Sequence, residues 1–323
     1  MDKENMEIHQ LNDEELITRI KNISKIKDID KEYIEKYIEN LKKVGIHPCY
    51  SEVAHFKVAR IHLPVAPKCN IQCKYCKRSL NKVEFRPGVS KAIMTPQEAL
   101  EYLEESLKKI PNLKIVGIAG PGEPLANPET FETLRLVHEK FPKINLCLAT
   151  NGLELPRYVD TLSKLDIANI TVTINAIDPK VSAKIYEFVI YNGKKYHGEE
   201  AGSILLKNQL KGIKLASQKG ILIRINTVLI PTINLDQIES ISRIGLEHGA
   251  IIHNIMPLIP IYQFKNLRRP TREEMHNARK DSQKYLPQFR LCKQCRADAV
   301  GIPGLERIKL CNPEDCSHVR FHG

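Results

Sequence analysis

Tryptophan is missing from this 323-residue chain, and aromatic side chains make up only 6% of it. Proteins that bind single-stranded nucleic acid stack bases on aromatic rings set among cations. So few rings argue against that class, although the formal net charge is +11. Apolar runs are short, and none reaches the roughly 18–20 residues of a membrane-spanning helix. No low-complexity linker and no internal repeat divides the chain. Its first residues, Met1-Asp2-Lys3-Glu4, are polar and acidic, unlike a signal peptide. A cytoplasmic protein with no membrane partner is predicted.

The positive charge is uneven: residues 1–40 hold 7 Lys/Arg against 11 Asp/Glu, so the cations are concentrated in the remainder. A basic body suits anionic thiolate-bound clusters or an acidic protein partner as well as nucleic acid. With 42% hydrophobic residues the chain can bury a substantial core, as one large domain or two small ones.

Nine cysteines in a reducing compartment point to metal binding or catalysis rather than disulfides. Three of them stand in the run Cys69-Asn70-Ile71-Gln72-Cys73-Lys74-Tyr75-Cys76. Three thiolates so placed can hold three irons of a cubane cluster and leave the fourth open to a small molecule. A zinc site is the competing reading, but it normally closes with four ligands. Three buried structural cysteines are a further alternative.

Strand-like and helix-like segments alternate along most of the chain. Apolar runs fall at 61–66, 114–119, 144–149, 170–174, 222–230 and 251–259, with helical spacing near 96–109, 129–140, 156–164, 203–219 and 235–248. Pro, Gly and Asn mark the junctions. This rhythm predicts an α/β fold, a parallel sheet with helices outside it. Two amphipathic helices are expected within 10–45, and one more helix at 271–285 precedes a cysteine-rich tail.

Other residues attract attention by position. Gly120-Pro121-Gly122-Glu123-Pro124 follows the second strand and reads alone as a turn. Thr150-Asn151-Gly152 follows the third, Asn175 ends the fourth and Arg224 lies on the fifth. His62 alternates with Ile61, Leu63 and Val65 and so projects to the opposite face of its strand. Cys49 lies in His47-Pro48-Cys49-Tyr50-Ser51, Cys147 lies within a strand, and Cys292 and Cys295 form a Cys-x-x-Cys pair.

The Cys69 run, Cys-x-x-x-Cys-x-aromatic-Cys, resembles the signature of the radical S-adenosylmethionine (SAM) superfamily. That resemblance implies a partial (β/α)6 TIM-type barrel over 46–270, with extensions at 1–45 and 271–323. It implies that Cys69, Cys73 and Cys76 bind a 4Fe-4S cluster, and that Gly122, Glu123 and Pro124 form the loop that meets SAM. Asn175 and Arg224 become candidates for hydrogen-bonding SAM and for pairing with its carboxylate. His47-Pro48-Cys49-Tyr50-Ser51, Pro64-Val65-Ala66-Pro67, Arg86-Pro87-Gly88-Val89 and Cys292-x-x-Cys295-Arg296-Ala297-Asp298-Ala299 resemble, more narrowly, the NifB family of nitrogenase cofactor maturases. The match runs from about 46 to 301, without the NifX-like domain that some members carry.

The family resemblance implies fusion of two 4Fe-4S substrate clusters into an 8Fe-9S cluster whose carbide comes from a SAM methyl group. Cys49, His62 and Cys147 would hold one substrate cluster, and Cys292 and Cys295 would help to hold the other. Glu84 and Arg86 are expected to handle protons or sulfur. Expected partners are proteins that donate or accept clusters and a reductant such as a ferredoxin. Cys311 and Cys316 receive no role.

Overall fold

The computed structural model describes residues 31–305. Six strands, β1 (Ala59–His62), β2 (Leu113–Ile118), β3 (Asn145–Thr150), β4 (Asn169–Thr173), β5 (Leu222–Leu229) and β6 (Ala250–Pro257), lie side by side in chain order. All five pairings between them are parallel. A doubly wound sheet reverses its strand order at a switch point. This sheet never reverses, so right-handed crossovers put the helices on one face and leave the other concave. β6 does not meet β1, which makes the wall a half-barrel rather than a closed one.

Within the described residues the expected strands and helices are present. The crossovers run through α2 (Pro96–Lys109), α3 (Pro128–Lys140), α4 (Leu155–Lys164), α5 (Pro179–Ile185), α6 (Gly198–Ser217) and α7 (Ile238–Glu247). α2 starts where local chemistry favours it. The Thr95 side chain accepts from the Glu98 N–H in a capping box, Pro96 opens the first turn, and Lys108 and Lys109 sit in the last. The same Thr-x-x-Glu box, Thr271 with Glu274, begins α8 (Arg272–Gln283).

Alternation along the strands separates two faces. Ile61, Val116, Leu146, Leu148, Ile170 and Ile223 belong to the core shared with the helices. Burying a side chain of this size contributes about 1.5–3 kcal/mol. Their neighbours on the other face are chemically different: His62, Gly117, Cys147, Thr171, Thr173 and Asn226. In β3 and β4 the positions Cys147, Ala149, Thr171 and Thr173 are partly accessible, while those between them are buried. The concave face is therefore polar and open.

Two segments outside the six repeats finish the wall. α1 (Lys31–Gly45) packs Tyr37 and Val44 against Leu222, Ile251 and Ile252 at the starts of β5 and β6. Lys36 and Lys43 both pair with Asp166. The earlier of the two expected N-terminal helices lies outside the described residues, as do Cys311 and Cys316. At the other end, residues 286–301 cross the open side. Gln288 bridges to His253 on β6, and β7 (Val300–Gly301) pairs antiparallel with β1. The Cys-x-x-Cys pair rides on this strap.

A hairpin not anticipated from the apolar runs, Tyr186–Tyr191 with Lys194–Tyr196, interrupts the crossover between β4 and β5. Its turn is Asn192-Gly193, with φ of 50° and 75°. Left-handed backbone at both positions is what a tight two-residue hairpin demands.

His253 shows how the outer layer is satisfied. Its Nδ1 is 2.8 Å from the hydroxyls of Ser242 and Ser282, and its Nε2 is 2.8 Å from that of Thr227. Burial, reinforced by Arg224, pushes its pKa down to about 3. The unfolded chain therefore binds a proton below pH 6.5 that the folded chain refuses until about pH 3. Stability attributable to this group is complete above pH 6.5 and falls as pH drops, by about 1.4 kcal/mol per pH unit. Urea titrations of His253→Gln between pH 7 and 5 should show a pH dependence shallower than wild type by about one proton. Parallel curves would contradict the assignment.

Candidate active site

The Cys69 loop is held from several sides. Ile71–Cys73 forms an edge strand against Tyr186–Tyr191, with Gln72 opposite Phe188 and Cys73 opposite Tyr186. Gln72 Nε2 donates to the carbonyls of Cys73 (3.0 Å) and Cys76 (2.9 Å), which fixes the turn between those two cysteines. The Tyr75 hydroxyl accepts from Asn175 Nδ2 at 2.8 Å and is hydrogen-bonded to Cys73. Asn175 also donates to Tyr186 Oη and accepts from the Val228 N–H. Asn175 was expected to bind SAM. Its side chain is fully buried, and these bonds position Tyr75 and the cysteine loop.

The Gly-Glu-Pro turn clamps the backbone just ahead of Cys69. Gly122 N–H donates to Ala66 O (2.6 Å) and Glu123 N–H to Lys68 O (2.8 Å). A Cβ on Gly122 would lie 2.2 Å from Lys68 O, so only glycine fits. Glu123 is 3% exposed; its carboxylate accepts from Thr150 Oγ1 (2.5 Å), Asn151 N (2.6 Å) and Leu125 N (3.0 Å). Burial pushes its pKa up to about 7 against those three hydrogen bonds. The side chain thus ties the Gly122-Glu123-Pro124 turn to Thr150-Asn151, the strand-end loop after β3.

On the concave face a second group forms by strand register. His62 on β1, Gly117 on β2 and Cys147 on β3 lie in one row across the sheet. Gly117 leaves a gap: a Cβ there would stand 2.9 Å from Cys147 Sγ and 3.2 Å from His62 Cδ2. His62 Nδ1 is 3.0 Å from the carbonyl of Arg296, which can only accept. Nδ1 must therefore carry the proton, and Nε2 presents a lone pair. Burial and nearby Arg60 push the ring down to about 4, so it is neutral at physiological pH.

Cys49 reaches this group from the loop after α1. Burial pushes its thiol up to about 11, and charge on Cys295 or Cys292 would raise it further. Cys147 is raised by burial and by Cys49. Cys292 packs against both the apolar cluster around the Cys69 loop and the one around Tyr50 and Phe289. It stands between the two ligand groups.

Arg224 and the Glu84–Arg86 pair each have defined partners in the structure. Arg224, expected at the SAM carboxylate, donates to Cys49 O at 2.5 Å and lies over the rings of Tyr50 and Phe289. Its reach is toward the second group, where it fastens the Cys49 loop. Arg86 donates to Lys77 O, Ser79 Oγ and Glu84 Oε1. Glu84 is accordingly held by Arg86, which keeps its carboxyl below the usual range. These bonds fasten the loop that carries both residues.

Residues missed in the sequence complete the picture. Arg60, 1% exposed, donates to Cys295 Sγ at 3.1 Å and to Gly301 O at 3.0 Å, joining β1 to the strap. Its alternation with His62 was the available signal. Gly117 was visible as a glycine inside a strand, often a mark of close approach. His47 Nδ1 accepts from the Cys49 N–H at 3.1 Å and shapes that loop.

Among the described residues, no three His, Cys, Asp or Glu side chains converge on a single metal ion. Cluster ligands each take a different iron, so they surround a volume instead of a point. The cysteines fit this demand: all seven described are free thiols of intermediate exposure. Burial pushes Cys69 up to about 12 and raises Cys73 well above its usual value. Metal must displace those protons, which couples binding to proton release.

A half-barrel with a three-cysteine loop after its first strand and a Gly-Glu-Pro turn after its second defines a radical SAM protein. The profile of the Radical SAM superfamily matches residues 63–244. FeMo cofactor biosynthesis protein NifB of Methanocaldococcus jannaschii is 49% identical over 276 residues, covering 85% of this chain and 91% of that protein. The protein of that name from Methanocaldococcus infernus is 51% identical over 258 residues, 79% of this chain and 85% of that one. The one from Bradyrhizobium diazoefficiens is 45% identical and covers 84% of this chain and 56% of its own length. The chain belongs to the NifB family. Membership implies a 4Fe-4S cluster and SAM, and the superfamily's three-cysteine motif falls at Cys69, Cys73 and Cys76.

Gly117→Ala tests the second group. The added methyl should cost about 1–3 kcal/mol of stability through overpacking. It should also reduce the iron bound after reconstitution while leaving the signal of the Cys69 cluster. Unchanged iron content would show that the row His62, Gly117, Cys147 is not a ligand site.

Proposed function

We propose that the protein is a radical SAM enzyme of FeMo cofactor biosynthesis that joins two 4Fe-4S substrate clusters into an 8Fe-9S product with a central carbide drawn from a SAM methyl group. One observation carries the reading. A second thiol and imidazole group, Cys49, His62 and Cys147, lies on the barrel wall, and Cys292 packs against both its surroundings and those of the Cys69 loop.

The residues of this chain divide the work. Cys69, Cys73 and Cys76 would hold the resident cluster, which when bound supplies the electron for reductive cleavage of SAM. Cys49, His62 and Cys147 would hold one substrate cluster through mixed ligation, and Cys292 and Cys295 would help to hold the other. A neutral imidazole adds no charge and leaves more readily than a thiolate, which suits a product that must be released. Two 4Fe-4S clusters supply eight irons and eight sulfides, so the ninth sulfur must come from outside. One SAM would give up its methyl group, and the radical from a second would take hydrogen from it. Arg60 and Arg224 set positive charge beside Cys49 and Cys147, which favours anionic clusters there.

The test is anaerobic reconstitution followed by SAM carrying a labelled methyl group. Label should appear in a cluster released from the protein. SAM cleavage with no label in any cluster would point to a different radical SAM maturase, and absence of cleavage in fully loaded, reduced protein would leave a cluster carrier. His62→Ala should lose the iron and the paramagnetic signal of one substrate cluster and keep those of the Cys69 cluster. Loss of the Cys69 cluster instead would contradict the division.

A further inference from the structure

The loop 77–90 begins one residue after Cys76 and stands outward from the barrel. Leu80, Val83 and Phe85 on it are 59%, 80% and 59% exposed. One exposed apolar side chain is ordinary; three on one short turn mark a contact surface. The turn is built, not loose. Asn81 Oδ1 accepts from the N–H groups of Val83 (3.0 Å) and Glu84 (2.8 Å). Arg296 donates to Glu84 O (2.6 Å) and Asn81 O (2.8 Å), and its guanidinium lies over the Phe85 ring. A preformed loop gives up little entropy when a partner docks on it.

Cations surround the apolar tip. Lys77, Arg78, Lys82 and Lys91 are exposed, and none has an ion-pair partner among the described residues. The local acids are already answered, Glu84 by Arg86 and Asp298 by Arg296. The patch therefore carries positive charge that nothing in the described chain neutralises. Its base touches a cluster ligand, since a Cβ on Gly88 would lie 3.6 Å from Cys76 Sγ.

We propose that loop 77–90 is the docking surface for an acidic electron-carrier protein that reduces the cluster held by Cys69, Cys73 and Cys76. This rests on the functional reading above, in which those cysteines hold a reducible cluster. One electron leaves the carrier, which is oxidised, and the cluster gains it; no bond or proton moves. A small apolar centre with a charged rim matches the transient encounters of redox partners, and the cations steer an acidic carrier toward it. Contact with Cys76 sets this surface beside the cluster that takes up the electron.

The experiment is stopped-flow reduction of the reconstituted protein by a reduced acidic ferredoxin, with dithionite, which needs no docking, as the control. Val83→Asp and Lys82→Glu should each slow reduction by ferredoxin, Val83→Asp by roughly tenfold or more at low salt. The wild-type rate should fall as salt rises, and dithionite rates should not change. Unchanged ferredoxin rates in both variants would overturn the proposal, as would equal slowing with dithionite. Variants that take up electrons normally but fail to load clusters from a cluster-carrying protein would overturn it in favour of that partner. A wild-type cluster that dithionite cannot reduce would overturn the functional reading and this proposal together, while ferredoxin-specific failures touch only the latter.

Discussion

The unpaired gap between β6 and β1 is the constraint on which the rest depends. A closed eight-stranded barrel fills its interior with side chains. Six strands left open cannot do so, and the concave face remains available. What closes the gap is not another repeat but the strap 286–301, pairing with β6 at one end and β1 at the other. Because that strap carries Cys292 and Cys295, the closure of the wall and the supply of metal ligands are one structural event.

Sequential strand order turns this into a site with two halves. The superfamily's cysteines lie in a loop beyond the end of β1, bound to the hairpin at Tyr186–Tyr191. The second group grows from the wall itself, where β1, β2 and β3 align His62, Gly117 and Cys147. Between them stands Cys292, packed against the apolar surroundings of both. Gly117 is as much a part of the site as the ligands it separates, because any larger residue would occupy their gap.

Much of this was legible beforehand, for physical reasons. Strands whose helix-facing side is buried read as apolar runs, and the helices between them carry their own caps, so the β/α rhythm stood out. The Cys69 spacing announced cluster chemistry, and alternation with Ile61 and Leu63 correctly placed His62 away from the helix-facing core. Other features depended on partners distant in sequence. Arg224 and Asn175 took their expected roles from strand position and the superfamily resemblance, and neither reveals that Cys49 and Tyr75 are their partners. The hairpin was hidden because Tyr186–Tyr191 is short and follows a helix directly, although Asn192-Gly193 was a turn signal in plain view. The two-residue β7 has no periodicity to read.

The pairing of β7 with β1 covers only Arg60 opposite Gly301 and Ile61 opposite Val300. Side chains on a strand alternate between faces, so a slip of one residue would exchange those faces along the paired segment. It would carry the Arg296 carbonyl away from His62 and Cys295 away from Arg60, disturbing a histidine tautomer and a thiol contact at once. Fidelity of register in the shortest ladder of the main sheet thus governs the acid–base identity of a ring on the strand beside it.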